Sequence, residues 1–256
     1  MMNHLHKDAA LSRLHQTCAR AGLAGFIILA GAGLGLGASL REASPEHFSP
    51  TGFTLRALLL FVVVLALFAR ALPDHLPHER PGPANMVTLI RLGLTALLAG
   101  LIGLSHPPLA WPAVLLATLA FALDGLDGWL ARRGGWASRF GARFDMETDA
   151  LLIALLSVLV WQFDKAGPWI LLAGLLRYAF VASATVWPWL RAELAPSWRR
   201  KVVCVVQVAT LLLALTPLVQ RPLSTAVALL GLCALAASFL IDIVWLYRHR
   251  PAPHAH

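Results

Sequence analysis

The sequence predicts an all-α fold, a polytopic integral membrane helix bundle with about eight transmembrane helices. The chain has 256 residues, 58% of them hydrophobic and only 13% charged, and its mean hydropathy is +0.70. A soluble domain is about half apolar and about a quarter charged. Apolar runs close to the ~20 residues needed to cross a bilayer recur along the chain. They predict helices at 21–40, 53–72, 86–105, 107–130, 147–163, 168–190, 201–219 and 222–247.

The distribution of basic residues predicts the orientation of these helices. The formal net charge is +8, which in a soluble protein would suggest nucleic-acid binding. Here three of the loops carry only Arg41, Lys165 and Arg221, and the remaining Arg and Lys residues concentrate in the alternate loops. Cytoplasmic loops carry such an excess, so we expect both termini in the cytoplasm and no nucleic-acid partner. The basic segments are 7–20, 70–80, 132–143, 191–201 and 248–250.

The first two predicted helices form an N-terminal extension. The segment LPDHLPHERPGP (72–83) is rich in Pro, His and charged residues, which is typical of a boundary. It separates the extension, residues 1–83, from a block of six helices, residues 84–256, that ends in a short tail expected to be disordered. Glycines 31–37 of the first helix have the GxxxG spacing that favours close helix packing. They lack the preceding strand of a phosphate-binding loop.

The third helix opens with PANMVTLIRLGL (83–94), in which polar residues recur every three positions. This spacing places Asn85, Thr88 and Arg91 on one helical face. Two interpretations follow from the residues alone. The face contacts a ligand, or Asn85 caps the helix and Arg91 is an ordinary interfacial cation.

The fourth and fifth helices carry four carboxylates in two pairs. Asp124 and Asp127 are three residues apart, and Asp145 and Asp149 are four apart, so each pair shares a helical face. The two helices are joined by a short turn at the glycines 134–135, and we expect them to be antiparallel neighbours whose acidic faces meet. A charged side chain deep in a bilayer costs roughly 2.5–3.5 kcal/mol, so these acids need a partner.

Divalent cations are the simplest partner for facing carboxylates. Such carboxylates repel one another, and their hard oxygen atoms suit Mg²⁺ or Mn²⁺. Two ions held by shared carboxylates polarise a diphosphate in phosphoryl transfer, and an acid outside their coordination could accept a proton from an attacking hydroxyl. Arg132 could form a forked contact with a phosphate oxygen. Small residues on the acidic faces leave room for a ligand: Gly128, Ala131 and Gly141.

Two other interpretations compete with a metal site. In the first, the acids form an interfacial salt-bridge cluster with Arg132, Arg133, Arg139 and Arg143, which would not require small residues on the acidic faces. In the second, the protein is an ion-coupled transporter, because acids within membranes also mark ion pathways. A pathway would distribute acids along the helices, whereas these gather at one end of two adjacent helices.

The acidic segment resembles the complete signature of the CDP-alcohol phosphotransferase family. The matching pattern is Asp124-x-x-Asp127-Gly128-x-x-Ala131-Arg132 followed by Gly141-x-x-x-Asp145-x-x-x-Asp149. The resemblance covers about residues 84–247, and the family's first core helix often carries an Asn-x-x-Thr-x-x-Arg pattern like that of the third helix.

The resemblance implies a role for each matching residue. Asp124, Asp127, Asp145 and Asp149 would bind two divalent cations, and Asp149 would also be the general base. The pocket for the CDP group would be lined by Gly128, Ala131, Arg132, Gly141, Asn85 and Thr88.

Two features of the later helices bear on an acceptor. Arg177 lies within the sixth helix and needs an anion, which is either a substrate or a protein carboxylate, unless its side chain snorkels to the interface. Family members that act on phosphorylated acceptors often show Gly-Lys-x-Lys-Thr-x-x-Gln at the start of the seventh helix. This chain keeps Lys201 and Gln207 but departs from the pattern elsewhere, and Lys201 could equally be a positive-inside anchor. The departures are Arg200, Val203 and Cys204.

The resemblance implies a phospholipid-synthesising enzyme. It would transfer a phosphatidyl group from a CDP-alcohol, with CDP-diacylglycerol as the first candidate, to a small polar alcohol and release CMP. Glycerol 3-phosphate is the first candidate acceptor, because Arg177 and Lys201 could hold its phosphate. Serine, inositol or its phosphate, and a lipid alcohol are the alternatives. We expect the enzyme to lie in a bacterial inner membrane, in contact with membrane lipid, with its active site facing the cytoplasm. A homodimer is compatible with the analogy to the family.

Overall fold

The computed structural model describes residues 2–43, 48–71, 82–134, 139–192, 194 and 197–250. Within these ranges, the side chains of residues 2–14, 43, 71, 126–134 and 139 lie outside the description. The described residues form α-helices and short 3₁₀ helices and contain no strand, which confirms the all-α fold class. The disordered tail predicted at the C-terminus falls mainly on residues 251–256, outside the described part.

Eight α-helices follow one another along the described chain. Three short 3₁₀ helices precede α4, precede α6 and follow α6. The α-helices are α1 (Met2–Ala43), α2 (Pro50–Ala71), α3 (Pro83–Gly100), α4 (Ala110–Gly134), α5 (Arg139–Gln162), α6 (Leu171–Val186), α7 (Trp198–Leu215) and α8 (Leu223–Arg248).

Six segments are long and apolar enough to cross a membrane, which confirms a polytopic membrane protein. Helices α5 and α7 are not among them, because each begins with several charged residues. The count of eight spans therefore stays a prediction. The six segments are His15–Glu42, Pro50–Arg70, Pro83–Gly100, Pro107–Gly125, Pro168–Val186 and Leu223–Arg248.

The chain divides into two compact units, Met1–Leu151 and Leu152–His256. The division falls within α5, so the acid-bearing first half of that helix belongs to the N-terminal unit. The predicted boundary at residues 83/84 lies where the composition of the sequence changes, and it does not coincide with the division into compact units. The separation of an extension from a core stays a prediction.

In the N-terminal unit, α1, α2, α3 and α4 pack in chain order. Glycines bring α1 against α2: a Cβ on Gly33 would lie 2.9 Å from Thr54 Cγ2, and one on Gly37 would lie 3.0 Å from Pro50 Cα. A Cβ on Gly31 or Gly35 would meet nothing within 4 Å. The GxxxG packing prediction is therefore confirmed for the second pair of glycines, whereas the first pair faces away from α2 and its packing stays a prediction.

In the C-terminal unit, α8 packs against α6 and α7. The loop before α6 is tied to the loop before α8 by Lys165, whose side chain is buried. Its Nζ donates to the carbonyl oxygen of Val219 at 2.8 Å and to Gln220 Oε1 at 3.3 Å. The hydroxyl of Ser224 donates back to the Lys165 carbonyl oxygen at 2.7 Å, so this end of the unit is held by a hydrogen-bonded network.

Candidate active site

Arg91 of α3 lies at the centre of the candidate site. Its side chain is 1% exposed, and its Nη2 is 2.9 Å from Asp124 Oδ1 of α4. The same guanidinium donates to the carboxylates of Asp145 and Asp149 on α5, and its Nε donates to the carbonyl oxygen of Ala120 at 3.2 Å. Three helices of the N-terminal unit therefore converge on one arginine.

Helical spacing explains why these side chains meet. Asp145 and Asp149 are one turn apart on α5, so both carboxylates leave the same face. On α3, Thr88, Arg91 and Thr95 are all buried and recur at the spacing of one helical stripe. The Thr88 hydroxyl donates to the carbonyl oxygen of Ala84 at 3.1 Å. This polar stripe of α3 is the side from which Arg91 reaches the acids.

Three carboxylates form what we call the acidic cluster: Asp124, Asp145 and Asp149. One oxygen from each lies within 4.8 Å of the other two. Their side chains are 30%, 37% and 25% exposed respectively, so the cluster is open on one side. The formal charges of the three acids and Arg91 sum to minus two, and hard oxygen ligands of this kind suit divalent cations. The donor set and its charge fit such an ion.

Other predicted residues of the site lie at its edge or outside the description. The α4 backbone continues without a break from Asp124 to Gly134, but several predicted side chains there are outside the described part: Asp127, Gly128, Ala131 and Arg132. Gly141 is half-buried one turn before Asp145. Asn85 is half-buried in the first turn of α3, six residues before Arg91. Their roles in binding CDP stay predictions.

The acids do pair with a protein arginine, but it is none of the four arginines that lie near them in the sequence. Of the four arginines considered for a salt-bridge cluster, Arg143 is exposed and the side chains of Arg132, Arg133 and Arg139 lie outside the description. The partner is Arg91, far from the acids in the sequence. A signal for it existed, because a buried arginine within a membrane helix needs an anion.

The predicted acceptor residues belong to the C-terminal unit. Arg177 is half-buried on α6, and Lys201 is exposed in the first turn of α7. The two arginines before Lys201 contact Asp242 of α8: Arg199 Nη2 lies 2.5 Å from Asp242 Oδ1, and Arg200 Nη1 lies 3.3 Å from it. This ion pair was not anticipated. It gives these arginines a structural role, while the acceptor role of Arg177 and Lys201 stays a prediction.

Comparison with known proteins agrees with the chemistry of the acidic cluster. The sequence model of the CDP-alcohol phosphatidyltransferase family matches residues 83–241, a range that contains the three helices of the site. No solved structure matched the chain.

Curated relatives from three bacteria carry one name, CDP-diacylglycerol–glycerol-3-phosphate 3-phosphatidyltransferase. The Salmonella choleraesuis protein is 32% identical over 137 residues, which cover 50% of this chain and 74% of the relative. The Pectobacterium atrosepticum protein is 32% identical over 148 residues, 54% and 78% of the two chains. The Escherichia coli K12 protein is 31% identical over 137 residues, 50% and 74%. The chain belongs to the CDP-alcohol phosphatidyltransferase family, and it is a membrane-embedded transferase.

Proposed function

We propose that this enzyme transfers a phosphatidyl group from CDP-diacylglycerol to glycerol 3-phosphate and releases CMP. The observation that carries the proposal is the acidic cluster, which joins the signature residues of α4 and α5 around Arg91. The names of the curated relatives support the choice of donor and acceptor.

Two divalent cations, Mg²⁺ or Mn²⁺, are the proposed cofactors. Family membership and the acidic cluster support the use of divalent ions. Asp124, Asp145 and Asp149 would hold them, together with Asp127, which follows Asp124 by one turn of α4. When bound, such ions polarise a diphosphate and stabilise the charge of the departing nucleotide.

The protein side chains perform the remaining tasks. Asp149 accepts the proton of the acceptor hydroxyl as that oxygen attacks the lipid-side phosphorus, and the bond from this phosphorus to the oxygen of CMP breaks. Arg91 is a positioning residue, because its guanidinium holds three mutually repelling carboxylates together. Arg132 contacts a phosphate oxygen of the donor. The CDP group lies against Asn85, Thr88, Gly128, Ala131 and Gly141.

The proposed acceptor follows from the names of the curated relatives and from two basic residues of the C-terminal unit. Arg177 and Lys201 would hold the phosphate of glycerol 3-phosphate, as the relatives' names suggest. The departures from the family pattern at Arg200, Val203 and Cys204 make serine, inositol, inositol phosphate and lipid alcohols the competing acceptors that a test must include.

A CMP-release assay tests the proposed reaction. Purified protein in lipid nanodiscs is given CDP-diacylglycerol, Mg²⁺ and each alcohol in turn. We expect CMP and phosphatidylglycerophosphate with glycerol 3-phosphate, and neither product from the Asp145→Asn variant. CMP release with serine or inositol would reassign the acceptor. No CMP release with any alcohol, together with ion-driven flux in liposomes, would support the transporter alternative.

The proposed setting is a bacterial inner membrane, with the acidic cluster and both termini on the cytoplasmic side. The basic loops support this orientation, and the relatives named above are bacterial. Residues 1–83 would be an extension and residues 84–256 the family core, in a protein that forms a homodimer. Labelling of single introduced cysteines in intact cells and spheroplasts tests the orientation.

A further inference from the structure

We propose that the two N-terminal helices build a cavity that holds one acyl chain of the CDP-linked lipid donor. This inference rests on the proposed function for the identity of the lipid. The cavity has a volume of about 610 Å³ and is lined by α1, α2, α3 and α5. Helices α1 and α2 lie outside the part of the chain that matches the family, so most of the cavity wall is contributed by the extension.

The packing of α1 on α2 sets the direction of the cavity. A Cβ on Gly33 would meet Thr54, one on Gly25 would meet Phe61 at 3.0 Å, and one on Gly22 would meet Leu65 at 3.4 Å. The position on α2 rises as the position on α1 falls, so the two helices are antiparallel. The part of α1 near His15 therefore lies beside the end of α2.

The cavity is mostly apolar, and α1 places two polar side chains, His15 and Cys18, at the end of the cavity beside the end of α2. His15, Cys18 and Asn85 are the polar residues that line it. Since α1 and α2 are antiparallel, His15 lies near the end of α2. Phe26 and Phe61 line the other end. From Cys18 to Phe26 a helix rises about 12 Å, which gives an apolar slot with a polar end.

An aromatic wall closes one side of this slot. The ring of Phe68 on α2 lies 4.7 Å from that of Phe144 and 6.0 Å from that of Phe140, both on α5, measured between ring centroids. All three line the cavity. Edge-to-face aromatic contacts of this kind stabilise a fixed surface, so the slot is bounded by packed side chains.

The surroundings favour hydrocarbon as the occupant. Both helices of the extension that line the cavity are long and apolar enough to cross a membrane, and their lining residues lie within these candidate spans. Apolar cavities take apolar ligands rather than water, and the volume lies in the range of small-molecule sites, about 300–1,000 Å³. An acyl chain fits both the elongated shape of the cavity and its apolar lining.

Continuity with the acidic cluster favours the donor lipid over bulk lipid. The α5 wall residue Phe144 directly precedes Asp145, and the α3 wall residue Leu89 lies two positions before Arg91. Asn85, a proposed CDP contact, also lines the cavity. The cavity and the acidic cluster therefore lie at the same depth on different faces of the same two helices. One chain of a lipid whose diphosphate binds the cluster has to pass only one helix, about 10 Å across, to enter the cavity.

A size change inside the cavity tests this proposal against a matched change outside it. Ala21→Phe fills the slot, because Ala21 lines the cavity. Ala24→Phe adds the same group at an exposed position of the same helix. For a long-chain donor we expect Ala21→Phe to raise KM about tenfold, since about two methylenes lose their burial. A dihexanoyl donor, which reaches less of the slot, would be turned over as in the wild type. Ala24→Phe should leave KM unchanged for both the long-chain donor and the dihexanoyl donor.

Photo-crosslinking supplies a readout independent of turnover. A CDP-diacylglycerol with a diazirine near the end of one chain should label the wall segments 18–26 and 61–69. Excess CDP-diacylglycerol should remove the label, and excess phosphatidylethanolamine should not. Labelling elsewhere, equal competition by both lipids, or equal KM changes in the two variants would overturn the proposal. Retained specific labelling in a protein that releases no CMP would instead contradict the proposed function alone.

Discussion

At the scale of residues, the acidic cluster depends on a balance of charge. The oxygen atoms of the three carboxylates lie within 4.8 Å of one another, and two unit charges at that separation repel by about 3.5 kcal/mol at an effective dielectric constant near 20. Arg91 offsets this repulsion from within α3, and its burial makes its own charge dependent on the acids. Arg91 and bound divalent cations therefore both stabilise the acidic cluster. Removing one of these two partners should make the stability of the cluster depend more strongly on the other.

Replacing Arg91 tests this balance. Breaking a fully buried ion pair costs about 3–5 kcal/mol. Because the acids are 25–37% exposed, we expect Arg91→Met to destabilise the protein by about 2 kcal/mol. Thermal unfolding in detergent measures the loss, and Mg²⁺ should raise the unfolding temperature of the variant more than that of the wild type. Arg143→Met, at an exposed position, is the control. Equal responses of both variants to Mg²⁺ would refute the role of Arg91.

Replacing Asp149 tests the assignment of the base. A general base contributes about 10²–10⁴-fold to a rate, so Asp149→Asn should lower kcat at least a hundredfold while CDP binding persists. Calorimetric titration with CDP and the CMP-release assay measure the two effects separately. Glu147→Gln, two residues earlier on α5, is the control and should retain activity. Wild-type turnover by Asp149→Asn would exclude Asp149 as the base.

At the scale of elements, hydropathy locates the membrane-embedded part of a helix rather than its ends. Helix α1 begins at Met2, not near residue 21, and α5 begins at Arg139, not near residue 147. The added turns contain charged and polar residues that still favour a helix. For α5 the difference matters, because Asp145 lies in one of these polar turns.

The packing of α1 on α2 gives a prediction at the scale of elements. A Cβ on Gly33 would lie 2.9 Å from Thr54 Cγ2, whereas one on Gly31 would meet open space. Overpacking costs about 1–3 kcal/mol, so Gly33→Ala should lower the unfolding temperature. Gly31→Ala should leave it unchanged or raise it, because alanine favours the helix. Equal melting temperatures for the two variants would contradict the contact.

At the scale of the whole molecule, the sequence predicted what depends on local pattern. The fold class follows from hydropathy, and the spacing of Asp124, Asp145 and Asp149 is enough to place them on helical faces. The ion pair of Arg199 with Asp242 and the convergence of Arg91 on three acids join residues far apart in the chain. The cavity joins four helices. Such features arise from tertiary packing, which periodicity does not encode.

The central claim is that the acidic cluster holds divalent cations on which transfer depends. The most direct test is CMP release by the wild-type protein as free Mn²⁺ is titrated from a chelated state, with bound Mn²⁺ measured in parallel by electron paramagnetic resonance. We predict no CMP release in the chelator and recovery that follows Mn²⁺ occupancy, with both occupancy and recovery lost in Asp145→Asn. Full CMP release in the chelator would contradict the account.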